Sequence, residues 1–224
     1  MLTPRKHLTK KELHKDPVMN KISQFTEYVQ TNQQVILYGI VGLLVIIATS
    51  WGYMNYSKER DAESVNKLAA PERVYFSGDY REAIRRLEKY CAEYEGTVGG
   101  GMGTFYMANA YFNTDQYDFA LQYFNQYLDD YADNELFVMS SLMGIAACYE
   151  GQNKYEEAAK QYEKAAGKFP SSHLAPESMI GAARCYRMVN QASNAKALYE
   201  KVTKEYPETS AARDAKNALD EIGA

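Results

Sequence analysis

Four stretches decide the fold: GDYREAIRRLEKY (78–90), DQYDFALQYFNQY (115–127), NKYEEAAKQYEKA (153–165) and QASNAKALYEKV (191–202). They superimpose on a central alanine, Ala83, Ala120, Ala158 and Ala195, at intervals of 37, 38 and 37 residues. Self-similarity at a fixed period of this size is the mark of a repeat architecture. Moving outward, Leu87, Phe124, Tyr162 and Tyr199 stand four residues after the central alanines, about one helical turn away. Twelve residues before three of those alanines stand Ala108, Ala146 and Ala183, each followed three residues later by Tyr111, Tyr149 or Tyr186. Pro170 and Pro207 lie twelve residues after the last two. Small residues at fixed places let two antiparallel helices approach, aromatics fill the space beside them, and the proline ends the second helix. Each hairpin leaves an apolar face that only its neighbour covers, so the hairpins stack.

This order of small residue, Tyr, Ala, aromatic and Pro resembles the tetratricopeptide repeat, whose usual period is 34. The extra residues fall in the joints FPSSHLAPES (169–178) and YPETSAARDA (206–215), where Ser171, Ser172, Thr209 and Ser210 are placed to cap the next helix. The first copy departs from the pattern: Pro71 takes its small-residue position and Val74 its tyrosine position. Its first helix is therefore expected to kink or to merge with the helix before it. Residues 210–222, with Ala211, Ala215, Ala218 and Ile222 on one face, read as a terminal capping helix.

A different pattern precedes the repeats. No charged residue occurs from Tyr28 to Ser57, and VILYGIVGLLVIIATSWGYM (35–54) is as long as a hydrocarbon core is thick, about 30 Å as a helix. Trp51, Tyr53 and Tyr56 cluster at one end and Tyr38 lies near the other, where amphipathic rings prefer the headgroup level. A cleaved signal sequence is disfavoured because 34 residues precede the apolar run. The fold expected is all-α, a single transmembrane helix followed by a solenoid of about four hairpins and a capping helix. Its divisions are a basic tail (1–34), the span (35–54) and the repeat domain (55–224).

The tail carries Arg5, Lys6, Lys10, Lys11, Lys15 and Lys21 against three acids, which favours a cytoplasmic N-terminus and a repeat domain outside. Thr9-Lys10-Lys11-Glu12 has capping-box spacing and Asp16-Pro17 interrupts that helix. Val18, Ile22, Phe25 and Val29 then form one helical stripe, read either as membrane-surface helix or as lead-in to the span.

Residues 55–224 hold nineteen basic and twenty-six acidic residues, a balance that argues against nucleic acid as partner. Cys91, Cys148 and Cys185 have no C-x-x-C spacing and read as small packing residues. The histidines, His7, His14 and His173, have no catalytic or metal-ligand context. Gly99-Gly100-Gly101-Met102-Gly103-Thr104 lacks the lysine and preceding strand of a phosphate loop and reads as a flexible joint before the second repeat. No catalytic, cofactor-binding or metal-ligating residue and no small-molecule substrate are expected.

The resemblance implies a protein-binding groove on the first helix of each pair. Carried onto this sequence, its positions are Phe105, Asn109 and Phe112, then Met143, Ala147 and Glu150, then Ile180, Arg184 and Arg187. Spacing of three to four residues puts each trio on one helical face. Phe105 and Phe112 fit either groove or core. Arg184 and Arg187 read as partners of an acidic segment, or of acids on a neighbouring repeat. The architecture as a whole resembles the YfgM-type ancillary subunits of the bacterial Sec translocon. That resemblance implies an inner-membrane protein with periplasmic repeats and, as partners, the bilayer, the translocon and a periplasmic chaperone. Assembly factors of respiratory, cytochrome or Tol-Pal-type envelope complexes, and docking subunits of membrane enzymes, are the alternatives.

Overall fold

A computed structural model describes residues 17–132 and 134–223. The tail's capping box, its basic cluster up to Lys15, His7 and His14 lie outside the described residues. Among the described residues ten helices form, of which α1 (Pro17–Thr31), α2 (Gln33–Phe76), α3 (Tyr80–Glu93), α4 (Val98–Phe112) and α5 (Tyr117–Asp130) come first. They are followed by α6 (Glu135–Gly151), α7 (Tyr155–Lys168), α8 (Ala175–Met188), α9 (Ala192–Glu205) and α10 (Ser210–Gly223). The chain divides into two compact units, one ending at Ser57 and one beginning at Lys58.

In the first unit the backbone ladder passes through Asn32, whose N–H donates to Tyr28 C=O and whose C=O accepts from Ile36 N–H, both at 3.0 Å. Ile22 and Phe25 of α1 are exposed, as is the apolar run of α2 from Val35 to Met54 apart from a half-buried Ile36. α2 is long and apolar enough to cross a membrane.

The second unit is the stacked array. The end of α2 meets α3 in a shared core, Leu68 with Ala83, Ile84 and Leu87, and Tyr90 Oη donates to Ser64 C=O at 2.6 Å. α4 pairs with α5, α6 with α7 and α8 with α9, and α10 covers the last hairpin. The central alanines Ala83, Ala120, Ala158 and Ala195 are wholly buried, as are Ala108, Ala146 and Ala183. The expected merging of the first helix occurs: Ser64, Leu68 and Pro71, on one face of α2, are its buried residues. Each hairpin turns on a left-handed residue, Gly78 (φ 84°), Asp115 (58°), Asn153 (61°) or Asn190 (57°), types that tolerate this region. Thr209 caps α10 as expected, its hydroxyl accepting from Ala212 N–H at 3.2 Å. Ser172 reaches only Leu174 N–H, at 3.4 Å, before α8 begins.

The glycine-rich stretch departs from its reading as a flexible joint. It is the buried first half of α4. Thr97 Oγ1 accepts from Gly100 N–H at 3.0 Å, Ser64 Oγ from Gly99 N–H at 3.1 Å, and Asp61 Oδ1 from Val98 N–H at 3.0 Å. Those first-turn donors, which the helix itself leaves without partners, are thereby satisfied. A Cβ on Gly99 would lie 2.6 Å from the Ser64 carbonyl carbon, and one on Gly101 2.8 Å from the Tyr131 ring. Glycine stands there because neighbouring backbone and rings occupy the space of a side chain.

Candidate protein-binding site

The first helix of each hairpin brings the nine groove positions to different surroundings. Phe105 is half-buried, its ring 4.9 Å from Phe137 and 6.1 Å from both Phe124 and Tyr127. It therefore serves the core at least as much as any groove. Met143 and Ile180 are likewise half-buried against the core. Asn109 turns its amide back to Phe105 C=O at 2.8 Å.

Phe112, Ala147, Glu150 and Arg184 converge instead. Together with Tyr155 and Met188 they line one open pocket of about 440 Å³, with Gly151 and Tyr162 completing it. Its wall thus draws on three consecutive hairpins. Phe112 leans on Tyr117 with ring centroids 5.7 Å apart, and Met188 is 56% exposed. Tyr155 is oriented by its hydroxyl, which donates to Asn153 Oδ1 at 2.9 Å beside the left-handed turn.

The charged part is closed on itself. Arg184 donates from Nε to Glu150 Oε1 at 2.9 Å and from Nη2 to Glu150 Oε2 at 2.8 Å, a bidentate pair. Tyr162 Oη adds a third donor to Oε2 at 3.3 Å. The hydrogen bonds to Glu150 raise the Arg184 pKa further above its ordinary value, and burial raises that of Tyr162. Arg187 is not part of this pocket; both its terminal nitrogens reach Glu221 Oε2 of α10 at 3.4 Å.

A second hollow of about 270 Å³, between α3 and α5 above α4, contains Cys91 in its wall. Burial pushes that thiol up to about 11, and Cys148 and Cys185 up to about 12, so none is an activated nucleophile. All three thiols are free. Among the described residues no three His, Cys, Asp or Glu side chains group as a metal site.

The tetratricopeptide repeat-like domain family matches residues 26–175, about two thirds of the chain, and the tetratricopeptide repeat itself matches 149–219. The chain belongs to the tetratricopeptide repeat-like domain family. No curated protein matches it. Among solved structures it is similar to a Podosopora anserina putative kinesin light chain with nearly identical tetratricopeptide-like repeats. The identity is 18%, with 69% of this chain and 82% of that one covered, at a TM-score of 0.57. A point variant of that protein gives the same values. The chain is also similar to YrrB, a tetratricopeptide repeat protein with an unusual peptide-binding site, at 16% identity over 86% and 97% of the two chains and a TM-score of 0.53. The protein is thus a tetratricopeptide repeat scaffold for protein–protein interaction, preceded by one long apolar helix.

Tyr155, Tyr162 and Met188 are pocket residues that sequence reasoning left out. Tyr162 was legible only as core, from its place four residues after Ala158. The signal for the ion pair is a separation of 34 residues, which recurs in Glu72–Tyr106, Asp118–Gln152, Glu150–Arg184 and Arg187–Glu221.

Proposed function

We propose that the chain is a membrane-anchored scaffold that takes up a segment of another polypeptide on the inner helical face of its repeats. The observation that carries this reading is the convergence of three hairpins on the pocket around Ala147, which stacking alone could assemble. Interface energies concentrate in aromatic and arginine anchors seated in pockets, typically about 2 kcal/mol or more each. Phe105, Asn109, Phe112, Met143, Ala147, Glu150, Ile180, Arg184 and Arg187 make up the assigned face. The peptide-binding site named for YrrB, a protein of similar fold, supports the assignment.

In this reading Val35–Met54 crosses a bacterial inner membrane once, with the tail in the cytoplasm and the repeats in the periplasm. The exposure of that apolar run, its freedom from charge and the basic excess of the tail support it. So does a family match that begins at residue 26 and takes in the apolar helix with the repeats. Short tail, single span and repeat array together favour an ancillary factor of YfgM type, working beside a translocon and a periplasmic chaperone.

Photo-crosslinking side chains at Asn109 and Arg187, in intact membranes, are expected to capture one partner that mass spectrometry assigns to the translocon or a chaperone. Gln122 and Lys160, exposed on the second helices, should stay unlabelled. Equal labelling from both faces would remove the inner face from consideration. Alkaline phosphatase fused after Ala224 should be active, as it requires export; an inactive, well-expressed fusion reverses the orientation.

A further inference from the structure

Glu150 and Arg184 are the two full charges in the pocket wall, and each is engaged by the other. The guanidinium uses two of its donors on the carboxylate, and the carboxylate also accepts from Tyr162 Oη. The Glu150 side chain is only 24% exposed, so it cannot turn freely to water if its partner leaves. What the pocket offers a visitor is apolar: the Phe112 and Tyr155 rings, the Ala147 methyl and the exposed Met188 thioether.

Resting on the inner-face reading above, we propose that this pocket selects its polypeptide by one large uncharged side chain, aromatic or long aliphatic, and rejects acidic and basic ones. An acidic side chain could gain Arg184 only by drawing it away from Glu150. That would leave a half-buried carboxylate with only the Tyr162 hydroxyl and the Cys185 thiol, both neutral, and place a second carboxylate beside it. A basic side chain would have to displace a bidentate guanidinium, whose planar fork matches the carboxylate better than an ammonium does. Both signs of charge are therefore penalised, and discrimination comes as much from this rejection as from the apolar contacts. Ala147 is the residue that keeps the space open, because its neighbours on the face, Phe112 and Arg184, are both large. A volume of about 440 Å³ lies within the ordinary range of sites for compact organic groups.

The test uses the full-length chain in detergent micelles and five labelled, acetylated and amidated peptides on a Gly-Ser frame, with Trp, Leu, Ala, Glu or Lys at the centre. Anisotropy titrations are expected to show the Trp and Leu peptides binding at least about tenfold tighter than the Glu and Lys peptides. Glu150→Gln keeps the shape and an oxygen acceptor but removes the charge that holds Arg184. In that variant the Glu peptide should gain about tenfold or more while the Trp peptide changes little. Ala147→Trp fills the pocket while keeping both charges of the ion pair and should weaken the Trp peptide at least about tenfold. Helical circular dichroism and a cooperative unfolding curve verify that both variants are folded. Tightest binding of the Glu peptide to the wild type, or a ranking unchanged by Glu150→Gln, overturns the proposal. Crosslinks from Asn109 and Arg187 without any peptide preference sink this inference and leave the inner-face reading standing. Absence of both sinks the two together.

Discussion

The two halves of the repeat array reach the same hairpin geometry with different fillings. In the first half the buried alanines Ala83, Ala108, Ala110 and Ala120 lie among large side chains, Leu68, Ile84, Leu87, Tyr90, Tyr94, Met107, Tyr111 and Phe124. They close over α4, which gives up its own side chains at Gly99, Gly100, Gly101 and Gly103. The second half meets alanine with alanine, Ala146, Ala158, Ala159, Ala182, Ala183 and Ala195 being wholly buried, and seats Tyr162, Tyr186 and Tyr199 between them. Packing density in protein interiors is nearly constant, so volume added on one helix is removed from the helix it faces. The difference teaches that a repeat fixes the distance between helices rather than the residues that fill it.

The comparison can be broken most directly at its largest buried contacts. Leu87→Ala, in a wholly buried position, is expected to cost about 3 kcal/mol in urea unfolding followed by circular dichroism. Ala158→Gly in the second half should cost only about 1 kcal/mol, the helix-propensity difference. Equal losses would mean that the halves do not differ in the way described.

Added volume gives the next contrast. Gly99→Ala would force a methyl into the backbone of Ser64 and is expected to cost about 2 to 3 kcal/mol. For Gly181→Ala the nearest atoms belong to the Tyr162 ring, at 3.0 to 3.1 Å. The ring can give by a few tenths of an ångström, and helix propensity returns about 1 kcal/mol, so the net change should lie within about 1 kcal/mol of zero. A Gly181 variant as damaged as the Gly99 variant would show the alanine-lined half to be equally tight.

Smaller than the Leu87 and Gly99 losses is that of Arg184→Ala. It leaves Glu150, whose side chain is 24% exposed, without its guanidinium, so a loss of about 1 kcal/mol is expected while the peptide ranking changes. The thiols give the smallest effect near neutrality. Burial pushes Cys148 and Cys185 up to about 12, so the fold holds them protonated. Their contribution is intact below the ordinary thiol value of about 8.5 and is lost only as pH rises from there toward 12. At pH 8 iodoacetamide should therefore leave both unmodified in the folded chain and reach half-buried Cys91 first, slowly. Rapid labelling of Cys185 at pH 8 would reveal local opening of the alanine-lined half.

Much of the array was legible because its signal is periodic. Ala83, Ala120, Ala158 and Ala195 stand at the positions where a side chain larger than a methyl would hold the helices apart, and repetition reveals them without any knowledge of their neighbours. The glycines of α4 were illegible for the converse reason. Glycine's local preference is for turns, and the groups that reverse that preference, the Tyr90 and Tyr131 rings and the Ser64 backbone, come from elsewhere in the chain. Half of the pocket, namely Phe112, Ala147, Glu150 and Arg184, was foreseeable from the groove positions that the family resemblance carries onto the sequence. Tyr155 and Met188 enter it only through the angle at which successive hairpins stack, which spacing along one helix does not contain. The closure of Glu150 on Arg184 is likewise a relation between repeats.

The left-handed residues Gly78, Asp115, Asn153 and Asn190 also make the hairpins exchangeable parts. Joining Asp115 directly to Lys154 would excise residues 116–153 yet leave a turn of the same hand, with α7 taking the place of α5 against α4. Ala158 and Tyr162 would then stand where Ala120 and Phe124 stood. Such a chain keeps its array one unit shorter but forfeits Ala147 and Glu150, and with them the pocket. Gene duplication or loss in whole units can thus lengthen or shorten the binding face, adding or deleting sites like beads on a string, without inventing a new fold.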